Sequence, residues 1–170
     1  FAQTYFPLNL PTSDPIKSEK QTFKTQAVVT GLDIPWSMAF LPNGSVLITE
    51  RPGRLRIVEN GKLRETAIKG LPDDIYLRGQ GGLMDIVLHP DFKTNGWIYL
   101  SYAYKSGMGG HTAIMRAKLK NYELVEQQVL FKGVEVKHDF HVAETSIRPY
   151  ILLQFYIDID KQFKCSPTYD

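Results

Sequence analysis

Trp36-Ser37-Met38-Ala39-Phe40 closes on Leu41-Pro42-Asn43-Gly44, and Leu83-Met84-Asp85-Ile86-Val87-Leu88 closes on His89-Pro90-Asp91-Phe92. Each is a short apolar run ended by a turn that carries proline, and the two prolines stand 48 positions apart. The strands after each turn also match. Beyond the first, Ser45 to Glu50 reads as a returning strand, Arg51-Pro52-Gly53 turns the chain, Arg54 to Val58 alternates as a third strand, and Asn60-Gly61 introduces Lys62 to Thr66. Asn-Gly tolerates the positive φ angles of a tight hairpin, at both 43–44 and 60–61. Beyond the second turn, Gly96 to Tyr102 and Thr112 to Leu119 repeat the second and third strands. Four-stranded units recurring every 40 to 50 residues or so are what propeller blades give, and a sandwich imposes no such period. The expected fold class is all-β, a β-propeller of four-stranded antiparallel blades without amphipathic helices. A blade cannot bury both faces alone, so about two to three blades leave the ring incomplete.

Outward from this pattern, residues 1–26 read as an N-terminal extension, 27–138 as blades and 139–170 as an atypical tail. The tail holds a dense β-prone run from Tyr150 to Asp160 with no glycine-bearing turn near it. A terminal strand packed across the blades is one reading of it, and a frameshift or truncation in the gene is the other. The 170 residues carry 20 Lys and Arg against 18 Asp and Glu, and a net charge of +2 is no footprint for nucleic acid or an anionic membrane. The single cysteine, Cys165, excludes an intrachain disulfide and a cysteine-based zinc site. No apolar run approaches the roughly 20 residues of a membrane span. The start at Phe1-Ala2-Gln3 fits a mature exported chain and an arbitrary beginning equally well.

Three stretches carry a family resemblance: Gly31 to Gly44, Leu47 to Arg54, and Gly79-Gln80-Gly81-Gly82-Leu83 onward to Phe92, continued by Gly96 to Tyr102. Over residues 27 to 133 or so the chain resembles the N-terminal part of the soluble sugar dehydrogenases that use pyrroloquinoline quinone (PQQ), the glucose/sorbosone dehydrogenase family. The resemblance implies a six-bladed ring, an oxidoreductase converting an aldose at its anomeric carbon to the lactone, PQQ and calcium as cofactors, and a periplasmic or secreted location. The electron acceptor stays unknown. It implies cofactor contact for Gln80, whose amide can both donate and accept. The alternative is that Gln80 merely satisfies backbone groups in an inter-blade loop. The family's base is a histidine opening a His-x-Gly-x-Arg segment. The matching region offers His141 first and His138 second, and neither precedes that glycine and arginine. Two solvated histidines in a tail are the alternative, and a His-x-x-His pair without further ligands makes no metal site. The family's calcium-binding loops and the basic residues that neutralise its quinone lie later in its chain, and Asp158-Ile159-Asp160 lacks the glycine and glutamate of a calcium loop.

Other polar and aromatic residues have plainer expectations. His89 is a turn residue, with Pro90 and Asp91 giving turn geometry and Asx capping. Trp36 and Trp97 pack blades before they serve as carbohydrate platforms, and Glu50 and Asp85 make inter-blade hydrogen bonds. Two rival functions remain: a non-catalytic propeller module binding carbohydrate or protein, and a propeller lactone hydrolase needing calcium without quinone.

Overall fold

A computed structural model describes residues 12–107 and 109–133. Two four-stranded antiparallel sheets dominate it. The first runs β3 (Pro35–Phe40), β4 (Val46–Glu50), β5 (Arg54–Glu59) and β6 (Lys62–Leu63), and the second β7 (Leu83–Leu88), β8 (Trp97–Ser106), β9 (Gly109–Lys120) and β10 (Glu123–Lys132). Each strand pairs only with its sequence neighbours, so each sheet is a meander. A small exposed hairpin, β1 (Ile16–Lys17) with β2 (Thr22–Phe23), lies within the segment read as an extension. The one departure from an all-β chain among the described residues is a single helical turn, α1 (Phe92–Asn95), where a bare turn was expected.

Alternation decides how the sheets meet. Ala39, Leu47, Leu55 and Ile57 share one face of the first sheet and pack on Ile86, Leu100, Ala113 and Met115 of the second, all buried. The sheets approach through their first strands, β7 lying against β3 and β4. Thr49 adds an inter-sheet bond, its hydroxyl donating to the Met84 carbonyl at 2.6 Å. This is the radial arrangement of propeller blades, with the first strand of each innermost.

The repeat extends to an irregularity. The ladder between β3 and β4 slips between Pro35 and Ser37, and the ladder between β7 and β8 slips between Leu83 and Ile86. A bulge strands a backbone N–H. In both blades a hydroxyl on the second strand accepts it: Thr49 Oγ1 from Ser37 N–H at 3.0 Å, and Ser101 Oγ from Asp85 N–H at 3.0 Å. Ser37 and Asp85 stand at the same offset as Pro42 and Pro90.

Three local expectations are corrected. Asn43 does not take positive φ; Gly44 does, at +87°, while the Asn43 side chain accepts from Ser45 N–H at 3.0 Å. The strand expected from Lys62 to Thr66 ends at Leu63, because the chain loops out and pairs again only where Ile68 bridges Leu55. The fourth strand of the second blade, β10, has no counterpart in the sequence pattern. Its turn, Asn121-Tyr122, puts a tyrosine at φ +61°, and two register shifts erase the alternation that would have marked the strand.

Candidate functional site

The segment from Gly70 to Gly82 carries the chain from the outer edge of the first blade back to the inner strand of the second. It is tied down along the way: Lys105 N–H donates to Asp74 O at 2.8 Å, Tyr76 N–H to Ala103 O at 2.7 Å, and Ala103 N–H to Gly82 O at 2.9 Å. Its last residues form a tight turn, with Gly81 N–H donating to Arg78 O at 2.9 Å. Gly82 has φ +143°, and a Cβ there would run into the Arg51 carbonyl, so glycine is required for the close approach of the two chain segments.

Gln80 tops this turn three residues before β7 and is exposed. Its amide makes no hydrogen bond among the described residues, so the alternative that it satisfies backbone groups finds no support there. That work falls to Arg51, whose Nε donates to Gly81 O at 3.0 Å and whose Nη2 donates to Gly79 O at 2.6 Å. The Arg51 carbonyl accepts from Leu83 N–H at 3.0 Å. Sequence reasoning identifies Arg51 only as part of a turn. The signal available is its place in the second matching stretch, which says nothing of a partner about 30 positions away.

Beside the loop, Asp85 and Ser37 share a hydrogen bond between the inner strands, so the inter-blade reading of Asp85 holds. Burial pushes the Asp85 carboxyl up, and the Ser37 hydroxyl offsets part of that. Glu50 is corrected: its partners lie within its own blade and the segment leading into it. It accepts from Asp33 N–H at 2.6 Å and from Arg54 Nε at 2.6 Å, with Arg56 Nη1 at 3.4 Å. Arg54 also reaches Asp33 at 2.7 Å.

His89 is a buried turn residue, as expected. Its Nδ1 accepts from Asp91 N–H at 3.0 Å, which fixes it as an acceptor, and Asn95 Nδ2 donates to the same atom at 2.7 Å. The capping expected of Asp91 is corrected, since its side chain caps nothing and Asn95 Oδ1 instead accepts from Trp97 N–H at 2.9 Å. Two cations lie over the Trp97 ring, Arg116 at 4.4 Å and Lys118 at 4.8 Å from its centre, so packing accounts for it. Trp36 is 45% exposed on the outer face of the first blade. His138, His141 and Asp158 to Asp160 lie outside the described residues.

The loop suits one edge of a flat, carboxylate-bearing ring. Gln80 offers an unengaged donor and acceptor, its neighbours on both sides are glycines, and the Arg51 charge beneath has no carboxylate partner among the described residues. Calcium finds no such fit: among the described residues, no three or more His, Cys, Asp or Glu side chains are grouped to hold a metal.

Residues 32–146 match the family model described as Glucose / Sorbosone dehydrogenase. The Synechocystis protein slr1608 is 39% identical over 129 residues, 72% of this chain and 31% of that protein. The aldose sugar dehydrogenase YliI of Escherichia coli is 45% identical over 83 residues, 48% of this chain and 22% of that enzyme. The PQQ-bound aldose sugar dehydrogenase of Streptomyces coelicolor superposes with a TM-score of 0.56 at 27% identity, over 64% of this chain and 33% of that one. The chain thus spans about a third or less of the length of each. A family match over two blades that carry a shared bulge and an anchored glycine-rich loop is specific, and this chain belongs to the glucose/sorbosone dehydrogenase family of β-propeller oxidoreductases.

Proposed function

We propose that this chain supplies the first two blades of a site that oxidises an aldose at its anomeric carbon to the lactone, with Gln80 contacting PQQ. The observation that carries the reading is the exposed Gln80 amide, unbonded among the described residues, on a turn whose backbone is fixed from below. PQQ, when bound, is the acceptor of the hydride that leaves the sugar carbon. The Gln80 amide orients the edge of such a ring by donating and accepting at once. The proton of the anomeric hydroxyl needs a base, and His141 is proposed for it, with His138 second. Calcium enters only through the family, and a location outside the cytoplasm is part of the same proposal.

The test is titration of the full 170-residue chain with PQQ, monitored by tryptophan quenching and the quinone's absorbance, then dye reduction with aldoses. Saturable binding that weakens about tenfold in Gln80→Ala supports the reading. No binding, with a carbohydrate bound instead, favours a propeller binding module. Lactone hydrolysis without quinone favours the hydrolase. Dye reduction lost in His141→Ala but retained in His138→Ala assigns the base.

A further inference from the structure

We propose that Arg51 is the positioning residue for Gln80, holding its turn in the one conformation that presents the amide; the inference rests on Gln80 being the quinone contact. The two carbonyls that Arg51 grips belong to Gly79 and Gly81, the residues on either side of Gln80. A single side chain that reaches over from the first blade therefore fixes the Gly79–Gln80 and Gly81–Gly82 peptides, and the Gln80–Gly81 peptide between them is held by Gly81 N–H on Arg78 O. The turn needs such a clamp. It contains glycines at 79, 81 and 82, so its backbone has more conformations to lose than a stretch of this length without them. Gln80 itself contributes no bond to the described residues that could hold it.

Guanidinium chemistry fits the task. Two N–H groups diverging from one rigid plane meet two carbonyls two residues apart, which a lysine ammonium does with looser geometry. The backbone of Arg51 is fixed too, its N–H donating to Ile34 O at 3.0 Å and its carbonyl accepting from Leu83. The clamp thus joins the strand entries of both blades to the loop, and an inter-blade displacement would reach Gln80 through it.

The test compares Arg51→Gln, Arg51→Lys and Gln80→Ala in the full chain by two readouts: backbone amide exchange at Gly81 and Leu83, and PQQ affinity. In Arg51→Gln, exchange at both amides accelerates about tenfold and PQQ affinity falls about tenfold, while amides of β8 and β9 are unchanged. Arg51→Lys falls between, and it carries the comparison if Arg51→Gln fails to fold. Gln80→Ala loses affinity with normal exchange. Unchanged exchange in Arg51→Gln, or faster exchange with full affinity, overturns the inference. A wild-type chain that binds no PQQ overturns the reading of Gln80 instead, and the exchange data still decide whether Arg51 orders its turn.

Discussion

Glu50 is fully buried, and burial alone would favour its neutral form. The Asp33 N–H, the Arg54 hydrogen bond and the charges of Arg54 and Arg56 outweigh that and hold its pKa below the ordinary 4.5. A carboxyl whose pKa falls on folding stabilises the native state fully above its unfolded value, and the benefit disappears as pH drops through the lower native one. Glu50→Gln is expected to cost about 2 kcal/mol at neutral pH, because it removes the carboxylate that partly buried Arg56 faces and leaves the more exposed Arg54 with Asp33 alone. Urea denaturation at neutral pH and near pH 3 or so checks this, and the gap between variant and wild type narrows in acid. Asp85 has the opposite sign. Its pKa is raised above 3.8 by burial, so ionisation opposes folding at neutral pH and the opposition lifts as pH falls through the native value. Asp85→Asn, still able to bond Ser37, is expected to raise the neutral-pH melting temperature and to flatten that part of the acid profile.

At the scale of elements, most strands were legible because alternation and turn chemistry agreed. Asn60-Gly61 takes φ +51° and +74°, the geometry its residue types announce, and β5 ends there as expected. β10 was illegible for a physical reason: its bulges shift the inward face twice, and Glu126 at φ +52° marks one of them. The candidate site was half legible. Gln80 could be singled out by resemblance, whereas Arg51 could not, since a hydrogen bond across about 30 residues leaves no periodic trace. The entry to β3 holds local strain. Ile34 is β-branched, half exposed and at φ +47°, a conformation costing such a residue about 1–2 kcal/mol. Ile34→Asn is expected to raise the melting temperature by a few degrees in a thermal scan, since asparagine tolerates that conformation and little apolar burial is given up.

For the molecule as a whole, the exposed outer face of the first blade matters most. Trp36, Met38 and Phe40 alternate onto one side of β3 at 45%, 59% and 68% exposure, while the opposite side of the strand packs on the second blade. A contiguous apolar stripe binds hydrophobic dyes and promotes self-association. Met38→Lys with Phe40→Lys is expected to reduce both, measured by dye fluorescence and light scattering, with the urea midpoint changed by no more than about 0.5 kcal/mol equivalent.

The ladder between β8 and β9 pairs Trp97–Ser106 with Gly109–Lys118 in one unbroken register, longer than any other in the described residues. Every partner in it is close along the chain, so little loop entropy stands in the way of its formation. This hairpin is therefore the natural nucleus: it should collapse early during refolding, with the first blade condensing onto it afterwards. The same ladder should be the last foldon to open.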